Sequence, residues 1–198
     1  MTTICDTDTI QLSGGHYFNL LEPNVDDIQI EDIAASLSKL CRFTGHCARF
    51  YSVAEHSYYA SQLVGKQAAL QALLHDAAEA YVGDISSPLK RNLPEYRAIE
   101  EPIKHAIYEA FGVVPSAESD EEVKTADYVM LLSEKAALMP DCPHDDIPWG
   151  WLVGKYDAND DIIASLEMFP MGPEEAEEMF LDAFANLQAG RDWRFHIQ

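Results

Sequence analysis

Two adjacent residues in an otherwise apolar stretch have side chains that can bind a metal ion. His75 and Asp76 offer one nitrogen and one oxygen donor within residues 69–81, where most other side chains are apolar. Burying such a pair without a metal ion or another partner would be costly. His56 and Asp127 are two further metal-capable side chains in helical contexts. The four residues predict a mononuclear site for Mn²⁺, Co²⁺, Fe²⁺ or Zn²⁺, and hence a metal-dependent hydrolase.

A simpler interpretation of the same polar residues stays open. If residues 70–81 form one amphipathic helix, His75 and Glu79 share a face, with Asp76 beside them, roughly opposite the apolar stripe. That face could simply be solvated. It carries neither Lys nor Arg, and this favours a functional site over a solvated surface.

Asp127 lies within an apolar stripe of its predicted helix, on residues 123–131. A carboxylate in that position should be buried, and a buried carboxylate needs a metal, a cation or several hydrogen-bond donors. A salt bridge or a cap to a neighbouring helix would also satisfy it. For His56 the simpler alternative is an ordinary histidine with satisfied hydrogen bonds.

The elements that would hold these residues are mostly helical. Alternating apolar and polar residues around Gly14 and Gly15 predict a β-hairpin. Beyond it, apolar residues recur at helical spacing, and Ser-x-x-Glu capping boxes at Ser52 and Ser119 each predict a helix start. The predicted helices are 30–40, 53–65, 70–83, 95–111, 120–138 and 173–187, with a loop at 86–94.

We expect a single all-α domain over residues 1–198, a helical bundle with a small N-terminal β-hairpin. Residues 139–172 are rich in Pro, Gly and Asp and should form an irregular segment with one short helix. Such segments are often lids, binding loops or contacts between subunits. Trp149 and Trp151 in it could pack in the core or stack on a base. The expected parts are 1–29 (hairpin and lead-in), 30–138 (metal-binding helical core), 139–172 (irregular segment) and 173–198 (C-terminal helix and tail).

Composition argues against several classes of partner. Lys and Arg number 13 against 34 Asp and Glu, giving a net charge of −21, which repels nucleic acid and anionic membranes. No apolar run is long enough to span a bilayer, and the N-terminus lacks the features of a secretory signal. The four cysteines form no Cys-x-x-Cys pair and are expected to be reduced thiols. We expect a cytoplasmic homo-oligomer that binds a small-molecule substrate, and neither nucleic acid nor membranes.

The order of the four candidate ligands resembles that of a known superfamily. His56, the His75–Asp76 pair and Asp127 follow the H…HD…D order of the HD-domain metal-dependent phosphohydrolases. Further segments closely resemble the bacterial 5′-deoxynucleotidases of that superfamily. These segments are 53–57 (VAEHS), 75–79 (HDAAE) and 83–90 (GDIxxPxK).

Residues 40–46 (LCRFTGH) resemble the segment around the phosphate-binding arginine of those deoxynucleotidases. They are more similar to the variant found in small phage and bacterial HD phosphohydrolases, which include a phage deoxyadenosine triphosphate triphosphohydrolase. The resemblance covers residues 10–138 and is strongest over 42–90. It implies an HD-domain fold for the predicted bundle.

The resemblance also implies a role for each matching residue of the core. His56, His75, Asp76 and Asp127 would hold the divalent metal ion, and Mg²⁺ could accompany the substrate. Glu79 would act as general acid and base next to the attacking water.

The other matching residues would contact the substrate. Arg42 and Lys90 would bind phosphate oxygens, with His46 as an additional candidate. Asp84 would orient the water, the sugar or the leaving group, unless it only serves the turn in which it lies. The deoxynucleotidases carry a tryptophan after the arginine, credited with excluding the ribose 2′-hydroxyl. Here the residue is Phe43, which leaves sugar selectivity open.

The resemblance implies hydrolysis of deoxynucleotides. The phage-like features favour a deoxynucleoside triphosphate, with dATP the first to test, and the alternative is a 5′-deoxynucleotidase acting on monophosphates. Hydrolases of guanosine tetraphosphate usually show His-Asp-x-x-Glu-Asp, whereas Ala80 stands in the last position here. A different class would be a catalytically silent domain that senses a nucleotide or scaffolds an assembly. The presence of Glu79 beside all four ligands argues against it.

Overall fold

The computed structural model describes residues 8–142 and 155–194. Over these ranges the chain is an all-α fold with one two-stranded antiparallel hairpin, which confirms the predicted fold class. The predictions for Trp149 and Trp151 lie outside the described residues. No helix in the two described ranges is long and apolar enough to cross a membrane.

The hairpin consists of strands β1 (Thr9–Gln11) and β2 (Tyr17–Asn19), with Ile10 opposite Phe18. The ring of Phe18 is fully buried and stacks 4.2 Å from the ring of Tyr81, measured between centroids. The helices follow in chain order. They are α1 (Ile30–Leu37), α2 (Val53–Gln62), α3 (Ala69–Leu73), α4 (Glu79–Val82), α5 (Ser87–Lys90), α6 (Pro94–Ala110), α7 (Ala117–Leu138), α8 (Asp160–Met168) and α9 (Pro173–Gln188).

Helix α2 is the central element of the bundle. It packs against α3, α7 and α9, and its residues 53–61 are all buried. The predicted capping box is present, because Ser52 and Glu55 satisfy each other's backbone N–H groups. Several of the buried residues of α2 are polar, and buried polar groups need partners. His56 therefore lies in the interior with its ring fixed by neighbouring elements.

The predicted continuous helix over 70–83 is wrong. Helix α3 ends at Leu73, tight turns occupy residues 74–78, and α4 begins at Glu79. The side chain of His75 supplies a physical reason, since its Nδ1 donates to the carbonyl of Ala72 at 2.7 Å. A continuing α-helix would give that carbonyl to the N–H of residue 76. The break turns His75 into the interior, where its side chain is only 9% exposed, so the solvated-face interpretation does not hold for it.

The second predicted capping box is misplaced by three residues. Helix α7 is capped by Ser116, whose hydroxyl accepts from the backbone of Ser119, and Ser119 reciprocates. Glu122, the partner expected for Ser119, instead accepts from the backbone N–H of Gly65 at 2.5 Å. Helix α7 is 22 residues long and carries Asp127 past the buried face of α2.

Two further findings concern the connecting segments. The predicted loop at 86–94 contains the short helix α5. The short helix expected within 139–172 is α8, whose first turn is capped by the side chain of Asn159.

Candidate active site

Two imidazole rings meet at the centre of the bundle with their Nε2 atoms 3.3 Å apart. His56 comes from α2, and its Nδ1 donates to the carboxylate of Glu134 at 2.6 Å. His75 comes from the turn after α3, and its Nδ1 donates to the carbonyl of Ala72. Because both acceptors can only accept, both Nδ1 atoms carry a proton. When a ring is neutral, its Nε2 carries a lone pair directed toward the other ring, an arrangement that suits a cation at this position, either a proton on Nε2 or a metal ion.

Two carboxylates face the same point. Asp127 Oδ1 lies 3.3 Å from His56 Nε2 and 4.0 Å from His75 Nε2. Asp76 Oδ2 lies 3.3 Å from His75 Nε2 and 3.7 Å from His56 Nε2. Nitrogen and carboxylate donors from α2, the turn after α3, and α7 thus converge on one position. His56, His75 and Asp76 are close enough together to hold a metal ion, and the mixed donor set suits a divalent transition metal.

The electrostatics of this position favour positive charge. Burial and the nearby Arg42 act to lower the pKa of His56, but Glu134 and Asp127 outweigh them and raise it to about 10. Burial acts to raise the pKa of Asp127, but the hydrogen bond from His56 prevails and leaves it below its usual value. For Asp76, too, burial is outweighed, by His75, His56 and Arg42, and its pKa falls well below the usual range. The carboxylates are therefore ionised and available as ligands.

Asp127 differs from its predicted environment. The sequence predicts a buried carboxylate, whereas its side chain is 37% exposed, so Asp127 is only partly buried. The apolar stripe on α7 faces α2 only in part, and Asp127 lies at the edge where that interface opens into a cavity.

This cavity has a volume of about 490 Å³ and gathers most of the predicted site. Its basic side chains are Arg42, Lys90 and Arg91, and its carboxylates are Asp76, Glu79, Asp84 and Asp127. The rings of Phe43 and Tyr128 complete its aromatic wall. A larger and more open groove of about 740 Å³ lies along α7. Its described lining contains four carboxylates and no basic residue, so we place the site in the smaller cavity, beside the histidine pair.

Glu79 is the carboxylate in this cavity best suited to carry a proton. Its side chain is only 6% exposed, and within the described ranges its Oε2 has no hydrogen-bond partner. Burial raises its pKa well above the usual value, and the negative charges of Asp76 and Asp84 raise it further. A carboxyl with a raised pKa next to a cavity can hold a proton and pass it to a bound group.

Arg42 is held on two sides by acidic residues. Its Nε and Nη2 donate to Glu134 Oε2 at 3.3 and 3.1 Å, and its Nη1 lies 3.6 Å from Asp76 Oδ2. The remaining nitrogen edge faces the cavity, where a phosphate oxygen could accept. The geometry couples Arg42 to the candidate metal centre through Asp76, and its role as a phosphate ligand stays a prediction.

Lys90, the second predicted phosphate ligand, is already paired. Its Nζ lies 2.5 Å from Glu100 Oε1 and 3.6 Å from Glu79 Oε1. Lys90 therefore forms an ion pair with Glu79 and also lines the cavity. Arg91 is exposed at the rim of the same cavity.

The segment after Arg42 has an unusual backbone. Phe43 and Thr44 both have φ of 55°, in the left-handed region that residues other than glycine seldom adopt. The turn places the Phe43 ring in the cavity wall, 5.8 Å from the guanidinium of Arg42. His46 follows this turn but is exposed and, among the described residues, is not part of the cavity lining. The structure thus brings Phe43 to the site and leaves the predicted phosphate contact of His46 without support.

Asp84 is positioned by a glycine with positive φ. Gly83 has φ of 80°, its N–H donates to the carbonyl of Glu79, and its own carbonyl accepts from the hydroxyl of Tyr96. This turn brings Asp84 into the cavity lining. Burial is the main cause that raises the pKa of Asp84.

Sequence reasoning missed Glu134. This residue is fully buried and contacts both His56 and Arg42. A signal was available, because residues seven apart on a helix share a face and Glu134 stands seven positions after the candidate ligand Asp127.

Comparisons with known proteins connect the chain to one family. Residues 37–131 match the model of the YfbR-like 5′-deoxynucleotidase family, an HD-type family. The chain is 43% identical over 181 residues to the uncharacterized protein YfdR of Escherichia coli K12, a match that covers 90% of this chain and 94% of the relative. It is 34% identical over 131 residues to an uncharacterized protein of Rhodobacter capsulatus, covering 60% of this chain and 67% of that protein. The chain belongs to the YfbR-like, HD-type family.

Membership of this family implies a hydrolase of the HD type with a divalent metal ion. The matched residues 37–131 span every residue of the cavity named above as well as both histidines. Glu134 lies three positions beyond the matched range.

Proposed function

We propose that the protein is a metal-dependent 5′-deoxynucleotidase that hydrolyses deoxynucleoside monophosphates to deoxynucleosides and orthophosphate. The observation that carries the proposal is the shared cavity. It joins the carboxylate side of a two-histidine, two-aspartate centre to a buried carboxyl, Glu79, and to a guanidinium edge of Arg42. The matching family is described by the same activity.

His56, His75, Asp76 and Asp127 would hold the metal ion. When bound, it would polarise a phosphoryl oxygen and lower the pKa of water. Arg42 binds the phosphate through the edge that Glu134 leaves free. Glu79 takes a proton from the attacking water at Oε2 and returns it to the 5′ oxygen as the ester P–O bond breaks. Asp84 orients the water or the leaving group.

The charge of the cavity supports a monophosphate over a triphosphate. Three basic side chains face four carboxylates in the lining, and two of the three, Arg42 and Lys90, already pair with Glu134 and Glu100. Even with a divalent cation bound at the metal end, the cavity would carry little net positive charge. A phosphate monoester brings about −1.5 to −2 charges at pH 7, and a triphosphate brings more. Hydrolysis of a deoxynucleoside triphosphate, with dATP first, stays a prediction from the sequence and forms the second arm of the test.

The test is a product screen. Protein freed of metal with EDTA is reloaded with Mn²⁺, Co²⁺, Zn²⁺ or Mg²⁺ and given each deoxy- and ribonucleoside mono- and triphosphate. Ion chromatography then separates orthophosphate from tripolyphosphate. We expect orthophosphate from deoxynucleoside monophosphates, with loss of activity in the chelated sample.

Other products would overturn the proposal. Tripolyphosphate released from a triphosphate would identify a triphosphohydrolase. Calorimetric binding of nucleotides without any hydrolysis would support the sensor alternative. A chelated sample with full activity would remove the metal from the reaction.

A further inference from the structure

Glu134 is a buried carboxylate that belongs neither to the ligand set nor to the cavity wall. It lies on α7, two turns beyond Asp127, with no part of its side chain exposed. An ionised side chain this deep is rarely found without strong partners. Among the described residues, its hydrogen-bond partners are His56 and Arg42, which the proposed function assigns to the metal ion and to the phosphate.

The first oxygen fixes the state of a candidate ligand. Glu134 Oε1 accepts from Nδ1 of His56 at 2.6 Å. This hydrogen bond holds the proton of the ring on Nδ1, so that Nε2 keeps its lone pair for the metal ion. It also fixes the plane of the ring, because His56 is itself fully buried.

The second oxygen fixes the orientation of the candidate phosphate ligand. Glu134 Oε2 accepts from both Nε and Nη2 of Arg42, at 3.3 and 3.1 Å. Since that contact takes one whole side of the guanidinium, Nη1 is left to point toward Asp76 and the cavity. A planar fork held on one side presents its other side in a defined direction.

The two contacts are made by one rigid carboxylate on one helix. We infer that Glu134 is a positioning residue that fixes the orientation of the metal ligand His56 relative to that of the phosphate ligand Arg42. The inference rests on the proposed metal-dependent hydrolysis, but its first test is metal binding without nucleotide. A carboxylate can accept on both oxygens, whereas an amide accepts on one side and donates on the other. No single orientation of glutamine can therefore replace Glu134.

Glu134→Gln makes this difference measurable. If the amide oxygen faces His56, the amide NH₂ opposes the donors of Arg42. If the NH₂ faces His56, the ring is driven toward the tautomer with its proton on Nε2, where the metal ion should bind. We expect Mn²⁺ to bind about 10–100-fold more weakly, the scale reported for lost partners of ligand histidines. At saturating Mn²⁺, KM for the deoxynucleotide should still be raised.

The experiment uses titration calorimetry with Mn²⁺ alone, followed by steady-state kinetics on the same preparations. Glu121→Gln is the matched control, because it makes the same change at an exposed position of α7. It should leave the Mn²⁺ affinity and KM unchanged. Glu134→Asp keeps the charge but shortens the reach, so it should fold and show a smaller loss in one or both quantities. Circular dichroism and thermal unfolding check that each variant is folded.

The outcomes separate this inference from the proposed function. If wild type binds Mn²⁺ and Glu134→Gln is less stable but binds it with the same affinity and KM, Glu134 only fills the core and the inference is wrong. If Glu134→Gln does not fold, wild-type affinity and KM in Glu134→Asp would overturn it equally. If the wild type binds no divalent metal, the proposed function itself fails. If Glu134→Gln binds Mn²⁺ more weakly but the wild type hydrolyses no nucleotide, the positioning role toward His56 is retained and the proposed function is refuted.

Discussion

The two ends of the candidate active site are built in different ways. The metal end takes His56 from α2 and Asp127 from α7, which pack against each other in the centre of the bundle, and His75 and Asp76 from the tight turn between α3 and α4. The substrate end takes Arg42 and Phe43 from a left-handed turn and Lys90 from the four-residue helix α5. A centre held by packed helices is hard to rearrange, whereas short turns and loops tolerate change. Under the proposed function, the chemistry would depend mainly on the packed helices and nucleotide preference on the substrate-end turn and α5.

The largest effect is expected from substitutions at the metal end of the site. His75→Ala or Asp76→Ala should abolish both metal binding and turnover, because each removes a donor from the converging set. Elemental analysis of purified protein, beside a turnover assay, measures both losses. His105→Ala is the matched control, since the side chain of His105 is 76% exposed on α6. Near-normal metal content in both site variants would mean that the metal ion binds elsewhere.

The next effect separates proton transfer from metal binding. Glu79→Gln should keep the fold and the metal content while lowering kcat by roughly 10²-fold or more, the scale of a lost general acid and base. The amide has nearly the shape of the carboxyl but cannot take a proton. Metal analysis and kinetics on one preparation test this. Unchanged turnover would remove Glu79 from the mechanism.

At the substrate end the effect should be smaller and should fall on binding. Arg42→Lys keeps a positive charge but loses the fork that reaches Glu134 on one side and phosphate on the other. We expect KM to rise by about tenfold, the equivalent of about 1.4 kcal/mol of binding free energy. Arg91→Lys offers a comparison at the exposed rim. If Arg42→Lys leaves KM unchanged for every nucleotide that the wild type hydrolyses, the phosphate must be bound by other residues.

The sequence predicts the candidate ligands better than it predicts the elements that hold them. His56 and the His75–Asp76 pair are recognised by residue type and order, and the capping box at Ser52 places α2 correctly. The break before α4 is not visible in helical spacing, because it depends on a ring nitrogen of His75 that competes for the carbonyl of Ala72. Local hydrogen bonds of this kind can end a helix even where apolar residues continue to recur at helical spacing in the sequence.

The rest of the site depends on contacts between distant segments. Glu134 looks like an ordinary helical glutamate until α7 packs on α2 and brings it to His56, 78 positions earlier in the chain. Lys90 looks like a free cation until α6 brings Glu100 against it. In both cases the sequence shows the charge, and only the tertiary fold shows what neutralises it.

The smallest predicted effect tests whether the substrate-end turn is under backbone strain. Thr44 is an exposed β-branched residue at φ 55°, a conformation that costs L-residues roughly 1–2 kcal/mol. Thr44→Gly removes that cost, but the greater conformational freedom of glycine in the unfolded chain lowers the free energy of unfolding by roughly 0.5–1 kcal/mol. We expect the free energy of unfolding in urea to rise by about 0.5–1 kcal/mol. The same change at Thr125, inside α7, should lower it, because glycine disfavours helices. KM for nucleotide should rise in Thr44→Gly, since the turn that presents Arg42 and Phe43 becomes less fixed. A turn that is destabilised by glycine would show that Thr44 makes a stabilising contact there, and that the left-handed backbone is not a store of strain.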